Sequence, residues 1–326
     1  MFARNKIRWS VMAATALVVM LALCAAGRAG VRNVVDETGR HVALPENVQR
    51  IVSLAPNLTE IVYALGAEQR LVGVTAYCDY PPAAREKTKI GNPVDPSLEA
   101  IAALKPDLVL ATRTMNRLET VESLDRLGIP VYSTDSRTVD GVMISIHDIA
   151  DAIGVPQQGR AVAAGMRERL DALHVRLAGV APKRVLFVIW TQPLISIGPQ
   201  TFLADALRQA GAQSIVQSEQ DWPEISFEEV VRLQPEALVF SSNHDETGHA
   251  ETAAQAADKQ LAELRQRPAW KDLAAIREGH IIVVGEEIDR PGPRLVDVIE
   301  DLARQLHPDV FAPSATAGAP ALGSGL

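Results

Sequence analysis

Short apolar runs alternate with amphipathic segments along most of this chain. The runs "DLVLAT" from Asp107 and "RVLFVIW" from Arg184 are short and almost wholly apolar, as expected for strands buried on both faces of a parallel sheet. After the run at Ile51–Leu54, apolar residues recur at helical spacing. The segment "VVDETGRHVALP" from Val34 alternates around a Thr-Gly turn and predicts a hairpin. The pattern therefore predicts an α/β fold with central parallel sheets covered by helices.

Two stretches of the chain are nearly copies of each other, "SLEAIAALKPDLVL" from Ser97 and "SFEEVVRLQPEALV" from Ser226. Each predicts a helix that begins after a serine N-cap, ends before a proline and leads into a strand. The elements around the two copies follow in the same order, which predicts two similar lobes. The shared positions are Ser97 and Ser226, Glu99 and Glu228, and Pro106 and Pro235.

A long amphipathic segment lies between the two copies. Apolar residues at helical intervals predict one helix from about Pro156 to Ala178, on the order of 30 Å long. Its position favours a rigid helix that joins the lobes, with a ligand cleft between them; a core helix of one lobe is the alternative. The predicted organisation is an N-terminal α/β lobe over 30–137, a linker with the backbone helix over 138–181, a C-terminal α/β lobe over 182–310 and a disordered, small-residue tail over 311–326.

The N-terminus differs in kind from the rest. Three cations precede the uncharged apolar run Val11–Ala26, the pattern of a secretory signal peptide over residues 1–26, cleaved after Ala26 or Ala29. A retained anchor is the alternative, although the run is shorter than the ~20 residues of a spanning helix. A lipoprotein modified at Cys24 is the second alternative. The sequence thus predicts a periplasmic protein exported by its signal peptide.

Composition excludes some functions. A formal net charge of −8 disfavours nucleic-acid binding, and the sequence contains no phosphate-binding Gly-rich loop, His-Glu-x-x-His, Gly-x-Ser-x-Gly or paired-cysteine motif. Cleavage would leave Cys78 as the sole cysteine. An exported enzyme with Cys78 as nucleophile remains an alternative, but no histidine is nearby in sequence. His244 and His249 are candidate ligands for a metal or a corrin cobalt; an ordinary solvated loop is the alternative.

Aromatic residues make up only 4% of the chain, so their placement is informative. Tyr77, Tyr80, Trp190 and Trp222 all fall at predicted strand ends or in the loops that follow. Core packing is the alternative for each, but Trp222 in "DWPEIS" has neighbours typical of an exposed turn. Flat aromatic faces of this kind suit a large ligand with broad apolar surfaces.

Three segments together resemble a known family: "RIVSLAPNLTEIVYALG", "SLEAIAALKPDLVLA" and "EISFEEVVRLQPEALVF". The chain resembles the helical-backbone periplasmic binding proteins, which deliver vitamin B12, haem and ferric siderophores to ABC importers. The resemblance extends from about Val34 to Leu306. It implies a non-enzymatic transport protein with no cofactor of its own. The segments "VGVTAYCDYPP" and "DWPEIS" are most similar to members that bind vitamin B12, so cobalamin is the expected ligand, with haem or a ferric siderophore as the alternative.

The resemblance also implies roles for individual residues. Tyr77 matches a tyrosine that packs on the corrin, Trp222 matches an aromatic residue on the other lobe, and "EEIDR" matches a ligand-contacting loop. Where the B12-binding members have tryptophans in the first lobe, this chain has Pro93 or its neighbours and Thr112. The alternatives are that Trp190 compensates from the second lobe or that the pocket holds a different ligand. The expected ligand-binding residues are Tyr77, Trp190, Trp222, Glu286, Glu287, Ile288, Asp289 and Arg290.

Glu99 and Glu228 match family positions at which one surface glutamate on each lobe docks onto the dimeric permease of an ABC importer. Two similar carboxylates on two similar lobes suit a partner with approximate two-fold symmetry. The alternative is that each glutamate only favours the start of its helix, and Glu229 is the second candidate in the second lobe. The protein itself is expected to be a monomer.

Overall fold

The computed structural model describes residues 30–242 and 253–312. The predicted signal peptide, Cys24, His244 and His249 and nearly all of the predicted tail lie outside these residues. Within the described part, the chain forms two compact units. The first unit runs to Asp135 and includes Asp148–Pro156, and the second comprises Ser136–His147 and the chain from Gln157 onward. No helix among the described residues is long and apolar enough to cross a membrane.

Each unit is built on a four-stranded sheet in which all strands are parallel. The strands of these two sheets are β3 Ile51–Ser53, β4 Leu71–Val74, β5 Leu108–Thr112, β6 Val131–Thr134, β7 Lys183–Val188, β10 Ala212–Ser214, β11 Ala237–Ser241 and β12 Ile281–Val284. The strand order is β4-β3-β5-β6 in the first unit and β10-β7-β11-β12 in the second. The same order in both units confirms the predicted α/β fold with two similar lobes.

The remaining strands of the described residues form two small antiparallel sheets. The hairpin predicted near the start is present, with β1 Val31–Val35 paired to β2 His41–Pro45. A second hairpin in the second unit, β8 Trp190–Thr191 with β9 Leu194–Ile195, carries one of the predicted ligand-binding tryptophans.

Helices alternate with the parallel strands, as the apolar periodicity predicts. The long helix expected from about Pro156 to Ala178 is α5, Pro156–Leu177. It belongs to the second unit from Gln157 onward, whereas α4 has residues in both units; the role of α5 as a spacer stays a prediction. The helices are α1 Pro56–Ala64, α2 Leu98–Ala103, α3 Leu118–Arg126, α4 Val139–Ala152, α5 Pro156–Leu177, α6 Phe202–Gln209, α7 Phe227–Leu233, α8 Ala253–Gln266, α9 Ala274–Glu278, α10 Leu295–Leu306 and α11 Pro308–Phe311.

The sheets supply the cores because most side chains of their central strands are buried. In the first unit, β3 and β5 bury every side chain, and Ile101 of α2 packs into the same cluster. In the second unit, Val230 of α7 and Trp270 join the cluster around β7, β11 and β12. Ile101 and Val230 occupy equivalent places in the repeated segments, so the duplicated helices are held to their sheets by equivalent buried contacts.

Candidate functional site

Tyr77 lies in the loop that follows β4, at the carboxyl end of the first sheet, where ligand sites of α/β folds usually form. Its side chain is 63% exposed, while its neighbour Cys78 is 1% exposed. The Cys78 thiol lies 3.1 Å from the Thr75 hydroxyl and accepts a hydrogen bond from the Thr59 hydroxyl. Buried polar contacts thus hold the loop that presents Tyr77, and Cys78 is closed to any substrate in this structure.

Asn116 is a functional candidate that sequence reasoning missed. Its side-chain amide donates to the carbonyl oxygens of Leu54 and Pro93, at 2.9 and 2.8 Å, and its oxygen accepts from the Thr112 N–H at 2.7 Å. One buried side chain therefore joins the ends of β3 and β5 to the loop at Pro93. Thr112 and Pro93 are both buried, so neither presents a ligand-binding surface.

Trp190 lies two residues after the end of β7 and is the first residue of the hairpin of β8 and β9. Its indole N–H donates to the Gln192 carbonyl at 2.9 Å, and its side chain is 60% exposed. Trp190 pairs with Ile195 across the hairpin. The hydrogen bond of the indole N–H therefore fixes the orientation of the ring, while most of the ring's apolar surface stays open to solvent.

Trp222 lies on a segment that extends this hairpin. Residues 221–225 run antiparallel to residues 194–198: the Ile225 N–H donates to Leu194, the Ser196 N–H to Pro223 and the Gly198 N–H to Asp221. The backbone of Gly198 approaches so closely that a Cβ there would lie 1.9 Å from the Gln220 oxygen. This pairing fixes the segment that carries Trp222, whose side chain is 49% exposed.

The pairing brings the two tryptophans to one surface. Ile195 pairs with Trp190 on one side and with Glu224 on the other, and directly opposed side chains lie on the same face of an antiparallel sheet. Trp222, two residues from Glu224, shares that face because side chains alternate along a strand. We name this face, formed by Trp190, Ile195, Trp222 and Glu224, the tryptophan platform. Ideal sheet spacings would separate the two tryptophan Cα atoms by about 12 Å.

The predicted segment Glu286–Arg290 follows β12 and forms a 3₁₀ turn over Glu286–Asp289. Arg290 pairs with Glu286 at 2.5 Å and Arg294 pairs with Glu287 at 2.5 Å. Desolvation raises the pKa of Asp289, partly offset by a hydrogen bond with Ser241 and by the charge of Arg290. Arg290 and Arg294 are therefore both paired with glutamates of this segment.

Ile288 differs from its neighbours because it has no exposed surface. Its turn contacts α6, α10 and β11 of the second unit. As the structure stands, Ile288 anchors the turn and does not contribute ligand-binding surface.

The two candidate docking glutamates occupy the same position in their helices. Glu99 is the second residue of α2 and Glu228 the second residue of α7, and both are exposed. The predicted N-caps are confirmed: Ser97 accepts from the Ala100 N–H at 3.1 Å, and Ser226 accepts from the Glu229 N–H at 3.2 Å. Ser97 also donates to Glu99 at 3.2 Å. Glu229, the second candidate, lies 3.5 Å from Arg232.

The far ends of these helices carry a duplicated contact that sequence reasoning missed. Before β3, the Arg50 guanidinium donates to the carbonyls of Leu104 and Lys105, the residues after α2. In the second unit, Arg184 donates in the same way to Leu233 and Gln234 at the end of α7. We call Arg50 and Arg184 the latch arginines.

Acidic residues fix the latch arginines through their backbone. The Asp107 carboxylate accepts from the Arg50 N–H at 2.9 Å, and Glu236 accepts from the Arg184 N–H at 2.8 Å. Lys105 and Gln234, which precede the two prolines, share a left-handed backbone conformation. The duplication therefore extends to main-chain geometry that the sequence pattern did not reveal.

No group of three or more His, Cys, Asp or Glu side chains in residues 30–242 and 253–312 is placed to hold a metal ion. The candidate ligands His244 and His249 lie outside the described residues, so their proposed role stays a prediction.

Comparison with known proteins gives one consistent answer. A family model described as periplasmic binding protein matches residues 51–288. A curated vitamin B12-binding protein from Pectobacterium atrosepticum is 31% identical over 273 residues, which cover 82% of this chain and 91% of that protein.

Solved structures agree with this result. The periplasmic vitamin B12 binding protein BtuF of Vibrio cholerae is 28% identical with a TM-score of 0.66, covering 82% of this chain and 99% of that one. A periplasmic haem binding protein from Pseudomonas aeruginosa is 27% identical with a TM-score of 0.68, covering 80% of this chain and 93% of that one. Similar folds therefore bind both corrins and haem.

Proposed function

The chain belongs to the periplasmic binding protein family, and we propose that it captures cobalamin in the periplasm and delivers it to an ABC importer of the inner membrane. The family match and the relatives described as vitamin B12-binding proteins support this proposal. The protein would be exported by the N-terminal signal peptide and would act as a monomer. Binding and release, with no bond made or broken, would be its whole activity.

The tryptophan platform is the observation that carries the choice of ligand. It presents two exposed indole rings, Trp190 and Trp222, on one face of a small sheet whose backbone is fixed by hydrogen bonds. Large exposed apolar surfaces held rigidly are unusual unless they bind something, and rigid aromatic faces suit a wide macrocycle. Tyr77 would be the aromatic contact from the first unit, and the Glu286–Arg290 turn would supply polar contacts.

A titration of three ligands tests the choice of cobalamin. Purified protein is titrated with cyanocobalamin, haemin and a ferric siderophore, with tryptophan fluorescence and ligand absorbance as readouts. We expect cobalamin to bind at micromolar concentration or below and more tightly than the other two. Preferential binding of haemin would instead favour the haem-binding relatives as the model for this chain.

Two variants test the role of the platform. Trp190→Ala and Trp222→Ala should each weaken cobalamin binding by about tenfold to a hundredfold, the loss typical of a buried aromatic anchor. Trp270→Phe is the matched control, because Trp270 is buried in the core of the same unit and packs on Phe227. Unchanged affinity in both alanine variants would exclude the platform as the ligand-binding surface.

Delivery would depend on Glu99 and Glu228, which we propose as the contacts to the two permease subunits. Exposed charges of this kind mainly set the orientation and rate of encounter. Uptake of labelled cyanocobalamin is measured in cells that lack their own copy and carry Glu99→Ala, Glu228→Ala or both. We expect uptake to fall, by about tenfold in the double variant, while ligand affinity stays unchanged.

The chain offers a matched control for this experiment. Glu119→Ala removes an exposed first-turn glutamate from α3 of the first unit and should transport normally. Glu229→Ala compares the second docking candidate with Glu228, and normal transport in this variant would favour Glu228 as the contact. A loss of cobalamin affinity in the Glu99 or Glu228 variants would place those residues in the ligand site instead.

A further inference from the structure

Glu224 lies on the tryptophan platform, and sequence reasoning did not single it out. The register places it beside Ile195 in the row that begins at Trp190. Burial alternates along its strand: Trp222 and Glu224 are exposed, while Pro223 between them is buried. Alternation and register therefore agree that the carboxylate emerges on the face that carries both indoles.

Among residues 30–242 and 253–312, the carboxylate of Glu224 forms no ion pair and no side-chain hydrogen bond. The arginines of the neighbouring segments, by contrast, are paired with acidic residues. Arg290 pairs with Glu286 and Arg294 with Glu287, and Arg137 lies 3.3 Å from Asp221. Glu224 therefore places a carboxylate without an ion-pair partner among the described residues beside the two indoles.

This charge distinguishes two chemically related ligand classes. The periphery of the cobalamin corrin carries neutral amides, whose N–H groups can donate to a carboxylate. Haem carries carboxylates, and placing like charges together at a partly desolvated surface is strongly unfavourable. The same repulsion would act on any macrocycle whose peripheral groups are acidic.

We propose that Glu224 is a specificity-determining residue, whose unpaired carboxylate on the tryptophan platform favours a macrocycle with neutral amide groups and disfavours one that carries carboxylates. The inference rests on the proposed function, since it assigns a basis for ligand choice to the same site.

The test compares ligands that share a macrocycle and differ in charge. Cyanocobalamin is paired with dicyanocobyrinic acid, a corrin with carboxylates in place of the peripheral amides, and haemin is included as a third ligand. Glu224→Gln keeps a hydrogen-bond acceptor but removes the charge. We expect this variant to bind cyanocobalamin with an affinity within about threefold of that of the unaltered protein. It should bind dicyanocobyrinic acid and haemin about tenfold more tightly than the unaltered protein does. Glu224→Lys should increase the preference for acidic ligands further.

Salt dependence and a control variant separate this effect from a general change of charge. The unaltered protein should reject dicyanocobyrinic acid less strongly as ionic strength rises, because screening weakens the repulsion. Glu219→Gln removes an exposed carboxylate from the same loop, outside the paired segment 221–225, and should change neither affinity.

The outcomes are distinguishable. If the unaltered protein binds no cyanocobalamin, the proposed function fails, whatever Glu224 does. If it binds cyanocobalamin but Glu224→Gln leaves the ratio of corrin affinities within about twofold, or Glu219→Gln changes it equally, the role of Glu224 is overturned.

Discussion

At position 198 the fold leaves room only for a hydrogen atom. A methyl group on Gly198 would lie 1.9 Å from the Gln220 carbonyl oxygen, and backbone must move to relieve that contact. We expect Gly198→Ala to reduce the free energy of unfolding by about 1–3 kcal/mol. It should also weaken cobalamin binding, because the displaced segment carries Trp222. Thermal unfolding and ligand titration measure the two effects.

Gly165→Ala is the matched control at the residue scale. Gly165 lies on α5 with no other atom within 4 Å of an added Cβ, so alanine should stabilise the helix by about 0.5–1 kcal/mol. Wild-type cobalamin affinity in Gly198→Ala would contradict the link between the close approach at Gln220 and the placement of Trp222.

Single residues show where sequence reasoning stops. It identified Trp222 as exposed because Asp221 and Pro223 flank it, and the side chain is 49% exposed. It did not find Gly198 or Asn116, because each acts through partners remote in sequence. Whether a small or polar residue is required at such a position depends on which distant segments the fold brings together. Neither composition nor periodicity reveals those contacts.

At the scale of elements, the latch arginines make a testable contribution. Arg50→Met removes the side-chain donors to Leu104 and Lys105, which follow α2, and Arg184→Met removes those to Leu233 and Gln234 at the end of α7. We expect each to cost about 1–2 kcal/mol of unfolding free energy. Each should also lower cobalamin uptake, because the short helix that displays the proposed docking glutamate loses its fixed end. Cobalamin affinity should stay unchanged.

A substitution on α7 itself serves as the comparison. Arg232→Met removes a side chain whose contact, to Glu229, is long at 3.5 Å, and should affect neither stability nor uptake by much. Normal uptake in both latch variants, alongside impaired uptake in Glu99→Ala and Glu228→Ala, would show that the latches stabilise the helices without positioning the glutamates.

The elements were predictable where their signals are local. Both repeated helices begin at a serine that caps the third helical N–H and end before a proline, so fourteen residues contain the whole signal. The latches were not predictable, since Arg50 and Leu104 are far apart in sequence. The hairpin at Trp190 is only two residues long on each side, too short for its alternation to be recognised.

At the scale of the whole molecule, the same strand order in two units followed from the repeat, because each strand and helix is a local unit of sequence. The repeat did not predict where the chain divides between the two units. The predicted linker of 138–181 is divided between them, with α4 contributing residues to both. Which unit a helix joins depends on its packing partners, and a single sequence does not reveal those.

Acid unfolding should report on the two units separately, because each contains a carboxylate stabilised in its charged form. Burial of Asp36 in the first unit would by itself raise its pKa, but hydrogen bonds from Thr38 and Arg40 and the charge of Arg40 outweigh it, so the pKa lies below the ordinary 3.8. In the second unit, the hydrogen bond from Arg169 lowers the pKa of Glu300 below 4.5 despite partial burial.

A lowered folded-state pKa means stability that is complete above the ordinary pKa and is lost as pH falls through the folded value. The contributions of Asp36 and Glu300 to the unfolding free energy should therefore be flat from about pH 7 to 5 and decline below about pH 4. Asp36→Asn should lower the unfolding free energy near neutral pH by about 2–3 kcal/mol and reduce its fall with acid in the first unit. Glu300→Gln should reduce the corresponding fall in the second unit. Glu119→Gln, at an exposed carboxylate, should change neither quantity. Urea titrations from pH 7 to 3, followed by tryptophan fluorescence for the second unit and circular dichroism for both, measure these slopes. An undiminished acid slope in Asp36→Asn would show that other carboxylates govern the acid stability of the first unit.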